Sequence, residues 1–113
     1  MIEFSSNDFV IRIEKYFREF YASLYKMGKA DYEVNLFNLL EYLKQNDDEK
    51  PESNYFRNEK DLDECYRKQI DYISSTIYKN YNLINDFFNR QDYESNVSSF
   101  EKYWKIKHPE FYR

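Results

Sequence analysis

The chain has 113 residues, a formal net charge of −4, one cysteine, one histidine and one glycine. A lone cysteine excludes an intramolecular disulfide, and one Cys with one His cannot close a zinc site. One glycine cannot build a glycine-rich phosphate loop. The acidic balance speaks against generic nucleic-acid binding, which needs a basic footprint.

Residues 1–5 show no clear period. Ser6, Asn7 and Asp8 then offer three N-caps in a row. Phe9, Ile13, Phe17, Phe20, Leu24 and Met27 follow at steps of three and four, which predicts a helix over 8–27. Gly28 sits just past it, where a left-handed C-cap belongs. Asp31 is the expected cap of a second helix that buries Leu36, Phe37, Leu39, Leu40 and Leu43 and frays near Gln45. The short turn between the two predicts an antiparallel helical hairpin.

Residues 46–54 are polar, acidic and broken by Pro51, the clearest loop in the chain. A long helix then dominates. Leu62, Tyr66, Ile70, Ile73, Ile77, Tyr81, Ile84 and Phe88 keep a helical period over about seven turns. Cys65, Tyr72, Thr76, Leu83 and Phe87 form a second row beside them. The expected weak point is Asn80-Tyr81-Asn82, because asparagine is a poor helix former. A last helix, capped by Asp92 or Ser95, carries Val97, Phe100, Tyr103, Trp104 and Ile106 and stops at His108-Pro109. The aromatic tail, with Phe111 and Tyr112, is expected to dock back on the body. No stretch alternates convincingly at period two. The expectation is one all-α domain over 1–113, a bundle of four or five helices around the long one, with an aromatic core drawn from 13 Tyr and 10 Phe.

No residue pattern announces a reaction. A Cys–His pair would have to use Cys65 and His108, and Cys65 falls on the long helix's buried rows, where cysteine is a small hydrophobe. The acidic loop lacks the glycine and the Asp spacing of a calcium loop. The expectation is a non-enzymatic protein without metal or cofactor.

Charge distribution is more informative. Residues 1–30 carry +1 and residues 65–113 carry +2, whereas residues 31–64 hold eleven acids and four bases, which is −7. Within them, Asp47, Asp48, Glu49, Glu52, Glu59, Asp61, Asp63 and Glu64 flank the aromatic pair Tyr55 and Phe56. Acids around aromatics suit an interface rim around an anchor. These ten residues are the candidate partner site, expected to gather at one end of the bundle. A second cluster, Lys102, Lys105, Lys107, His108 and Arg113 with Tyr103, Trp104, Phe111 and Tyr112, could bind single-stranded nucleic acid. Its aromatics also fit the buried face of an amphipathic helix.

Residues 1–30 lack a secretory pattern, and no apolar window approaches the ~20 residues of a membrane span, so a cytoplasmic protein is expected. A short, acidic, cysteine-poor, non-catalytic chain has the general profile of immunity proteins, antitoxins and phage-encoded nuclease inhibitors. The function expected is inhibition of a basic protein partner, possibly a nuclease or nucleic-acid-binding protein, by steric and electrostatic occlusion. A helical or homo-oligomeric assembly subunit is the alternative, and nucleic-acid binding through the C-terminal cluster the third.

Overall fold

The computed structural model describes residues 2–5, 8–89 and 91–112. Its first third overturns the all-α, helical-bundle expectation. β1 (Ile2–Ser5), β2 (Phe9–Tyr16), β3 (Glu19–Lys26) and β4 (Val34–Asn35) form an antiparallel meander in the order β1-β2-β3-β4. The predicted helix over 8–27 is therefore a hairpin. Ser6 and Asn7, two of its three proposed caps, lie outside the described residues.

The register explains the error. Ile11 pairs with Leu24, Ile13 with Ala22 and Lys15 with Phe20. Phe9, Ile11 and Ile13 alternate on one strand, and Phe20, Ala22 and Leu24 alternate on the other. Read straight through, two period-two runs with a turn between them imitate a 3.6 period. The residues of β2, rich in Val, Ile, Phe and Tyr, favour a pleated surface. Gly28 (φ 85°) is a turn glycine, with Lys29 N–H donating to the Lys26 carbonyl at 2.8 Å. The left-handed angle is what only glycine adopts freely.

The second predicted helix also starts later. Asn35, not Asp31, is the N-cap of α1 (Leu36–Leu43), accepting from the Phe37 and Asn38 amides. The residues before it are spent on β4, so no helical hairpin forms with what precedes. The long helix is present but divided. α2 (Leu62–Lys79) and α3 (Tyr81–Phe87) meet at Asn80, whose Nδ2 donates to the Thr76 carbonyl at 2.8 Å. α4 (Tyr93–Lys107) follows, then a 3-10 turn at Pro109–Tyr112. Arg113 and the side chains of Phe111 and Tyr112 lie outside the described residues, so the docked-tail expectation does too.

Two layers result. One sheet face, with Phe9, Ile13, Ala22, Leu24 and Val34, packs on Leu36, Leu39 and Leu40 of α1, Ile73 of α2, Ile84 and Phe87 of α3, and Phe100 of α4. Burying each such side chain contributes roughly 1.5–3 kcal/mol. The opposite face buries Val10 and Tyr25 beside a charged group in which Arg12 bonds Glu3 at 3.0 Å, pairs with Glu33 and lies over Tyr25. On α2 the deepest line is Cys65, Gln69, Ile73, Thr76. The predicted stripe is thus rotated, leaving Leu62 at one end exposed.

Candidate functional site

β4 covers β3 only at Ser23 and Leu24, so the first half of β3 has no strand on its outer edge. Helix and loop supply the missing partners. Gln69, 1% exposed, accepts from the Phe20 amide at 2.8 Å and donates to the Arg18 carbonyl at 2.7 Å. Residues 45–60 then run as a strap beside α2. Tyr72 Oη donates to the Glu52 carbonyl at 2.6 Å, and the Cys65 thiol donates to the Tyr55 carbonyl at 3.4 Å. Arg18 donates to the Glu59 carbonyl at 3.0 Å.

Of the two non-glycine residues with positive φ among the described residues, one is the half-buried Phe56 (φ 49°) and the other lies in the β2–β3 turn. Its two central residues are Phe17 and Arg18, and Phe17 has φ 56°. Hairpin turns that place a positive φ there normally use glycine. A bulky residue in this region costs on the order of 1–2 kcal/mol. Phe17 is nonetheless 79% exposed, so its ring gains little burial in return. Tyr16, also exposed, meets Phe17 edge-on at 4.5 Å.

Between this tip and the strap lies an open cavity of about 410 Å³, lined by Tyr16, Phe17, Arg18, Glu19, Tyr21, Tyr55, Arg57 and Cys65. Tyr21 Oη donates to Glu19 Oε1 at 2.7 Å, and Arg57 Nε donates to Glu19 Oε2 at 2.6 Å. These bonds, that from Tyr21 first, hold the Glu19 carboxyl below its usual range. The same bond to Glu19 pushes the Tyr21 phenol up to about 12. Arg57 lies 5.0 Å over the Tyr55 ring, and Tyr55 lies 5.5 Å from Tyr21.

The acidic candidates do not gather in one place. Lys44, at the end of α1, reaches Asn80 at the end of α2, and Asp47 N–H bonds the Lys44 carbonyl. Asp61 caps the start of α2. The 18 residues of α2 span about 27 Å, so the two acidic groups sit towards opposite ends of that helix. The downstream group is also partly engaged. Glu59 pairs with Lys68 at 2.6 Å, Glu64 with Arg67 at 2.7 Å, and Asp61 accepts from the Asp63 and Glu64 amides. Asp63 is exposed. Asp47, Asp48, Glu49 and Glu52 are exposed too. Tyr55 and Phe56 are half-buried; Phe56 packs on Tyr72 at 6.1 Å. Phe4, Tyr21, Tyr78 and Tyr81 are exposed too, but Tyr16 and Phe17 are the exposed aromatics that project together from the hairpin tip, and sequence reasoning placed them on a helix. The mirrored alternation on either side of Phe17-Arg18 was the signal for them.

Among the described side chains of the C-terminal cluster, Tyr103 and Trp104 are engaged internally. Trp104 Nε1 donates to the Asn38 carbonyl, Tyr103 Oη donates to Glu41, and the His108 ring stacks on Trp104 at 4.0 Å with Nε2 2.8 Å from Glu41. Among the described residues no group of three or more His, Cys, Asp or Glu is placed to hold a metal ion, and no helix is long and apolar enough to cross a membrane. Comparison with known proteins gives no relative: no family model, no curated protein sequence and no solved structure matches the chain.

Proposed function

We propose that this chain is a small, non-enzymatic interaction protein that binds and blocks a basic protein partner, an inhibitor of the immunity or antitoxin type whose target is a nuclease or another nucleic-acid-binding protein. The observation that carries it is the β2–β3 tip. An exposed phenylalanine at a positive φ works against folding, and strain of this kind concentrates where a residue serves binding. Tyr16 and Phe17 have the character of anchors that bury on contact. The strap leads from this tip to Asp47, Asp48, Glu49 and Glu52, four exposed acids around Lys50. Such a patch steers a basic surface into place. The cytoplasmic assignment rests on the lone thiol, which suits a reducing compartment.

The test is capture of the partner with tagged protein from cells in which the chain naturally acts, followed by binding kinetics at two salt concentrations. Reversing Asp47, Asp48, Glu49 and Glu52 to Lys is expected to slow association and flatten its salt dependence. Phe17→Ala is expected to speed dissociation. A captured partner indifferent to both changes overturns the proposal. Self-association is the second reading, favoured by the form of the tip: a projecting aromatic pair beside a hollow suits a twofold interface. Light scattering separates the two.

A further inference from the structure

We propose that the hollow between the β2–β3 tip and the strap is a binding site for a small, flat aromatic carboxylate. The site shares Tyr16 and Phe17 with the tip proposed to anchor the protein partner, but none of the acids at residues 47–52, and small-molecule binding here is tested without that partner.

Its size is the first reason. The cavity of about 410 Å³ falls within the range of small-molecule sites, which are mostly apolar with a few convergent polar groups. Here Tyr16, Phe17, Tyr21 and Tyr55 supply aromatic faces, and the polar groups are Arg18, Arg57 and Glu19. Aromatic faces accept a flat ring by offset or edge-on stacking.

The charge balance selects the sign. Two guanidinium groups stand against one carboxylate, leaving one positive charge at the rim. Both Glu19 oxygens already hold a donor, one from Tyr21 and one from Arg57. The carboxylate is therefore poorly placed to serve an incoming cation, which the two arginines also repel. The guanidinium donors are not exhausted. A guanidinium has five N–H groups. Arg57 turns one edge to Glu19, and Arg18 gives one nitrogen to the Glu59 carbonyl. Their remaining N–H groups have no acceptor among the described residues. A carboxylate matches that fork geometry, and a single negative charge cancels the surplus.

The site is also held in shape. Arg57 is fixed by the Tyr55 ring beneath it and by Glu19 beside it. Tyr55 is tied by its own carbonyl to Cys65 on α2. The Arg57 side chain is 71% exposed, but its contacts with Tyr55 and Glu19 already restrict the guanidinium and so reduce the freedom it loses on binding. The Tyr21 phenol stays protonated across the physiological range, so it remains a donor to Glu19 and adds no negative charge.

The experiment uses the full chain and three probes of one shape: 2-naphthoate, its neutral amide, and 2-naphthylmethylamine. Binding is followed by amide and tyrosine-ring NMR shifts and by calorimetry. The expected result is that 2-naphthoate moves the signals of Tyr16, Phe17, Tyr21, Tyr55 and Arg57. It is expected to bind about tenfold or more tighter than the amide and the amine, the usual effect of one charge-assisted contact. Arg57→Gln is expected to remove that preference, and Arg18→Gln, which leaves the Arg57–Glu19 pair intact, to reduce it. Equal binding of the amine, shifts centred elsewhere, or no shift at millimolar 2-naphthoate overturns the proposal.

Discussion

Phe17 and Phe88 carry the same side chain in opposite circumstances. Phe88 is 1% exposed, stacked on Phe9 at 5.5 Å and on Tyr93 at 6.0 Å, with a negative φ of −90°. Phe17 is exposed and left-handed. Chemical denaturation is expected to rank them accordingly. Phe88→Ala should cost about 3–5 kcal/mol, as for other large-to-small changes in a packed core. Phe17→Gly should leave stability unchanged or raise it by up to ~1 kcal/mol, since glycine relieves the left-handed strain but adds freedom to the unfolded chain. A loss of more than ~1 kcal/mol for Phe17→Gly shows that the ring packs on the body and sinks its role as a free anchor. Neither circumstance was legible in the residue itself. Both positions had been counted as apolar points on helical stripes, and only the fold tells a point on a stripe from the tip of a hairpin.

Elements were legible in proportion to how local their determinants are. α2 declares itself because its capping residue, its first-turn acids and its periodic apolar residues all lie within its own span. Its end at Asn80 was readable for the same reason. The hairpin depends on pairing between residues as far apart as Phe9 and Lys26, which a single helical period read along the chain does not test. Its turn gave no warning either, because Phe-Arg stands where Asn-Gly or Gly would signal one. Gln69 lies between Tyr66 and Ile70 of the expected stripe without belonging to it, yet it joins the two layers by bonding Arg18 in the β2–β3 turn and Phe20 on β3. Gln69→Leu keeps the volume and strips both partners. It is expected to cost about 2–4 kcal/mol, because a buried amide and carbonyl lose their hydrogen bonds. Ser74→Ala, exposed on the same helix, should stay within about 0.5 kcal/mol. Urea titration compares the two, and amide exchange at Phe20 should accelerate only in the Gln69 variant. A Gln69→Leu protein as stable as wild type would remove the helix–hairpin link from this account.

At the scale of the whole molecule, charge pairs set the pH range over which the fold is most stable. Hydrogen bonds from Tyr21, Lys68 and Arg67 hold the carboxyls of Glu19, Glu59 and Glu64, respectively, below their ordinary 4.5. A depressed carboxyl stabilises the fold above its unfolded value and loses that contribution as pH falls through the folded one. Tyr21 has the opposite sign: its contribution is present below the ordinary 10.0 and fades as pH climbs towards about 12. Melting temperature is therefore expected to be flat near neutrality, to fall below pH 4.5 and to fall again above pH 10. Glu19 figures on both flanks, so Glu19→Gln should soften both. An acid limb unchanged in that variant shows that Glu19 has no part in it. Solvent screening keeps each contribution modest, since all these groups lie near the surface. Sequence showed the acids but not their partners: the −7 of residues 31–64 suggested one belt, whereas the fold parts its two halves along α2.

The strap is fastened in an uncommon manner. Beside the side-chain pairs Arg57–Glu19 and Glu59–Lys68, it is held by main-chain carbonyls at Glu52, Tyr55, Phe56 and Glu59, whose donors belong to Tyr72, Cys65 and Arg18 on the body. A carbonyl is the same at every residue. Substitutions along the strap's outer surface can therefore accumulate without detaching it, whereas a change at Tyr72, Cys65 or Arg18 loosens it whatever its own sequence. The exposed residues 47–49 thus lie apart from the residues that hold this segment, and they are free to drift towards a new partner while the scaffold stays as it is.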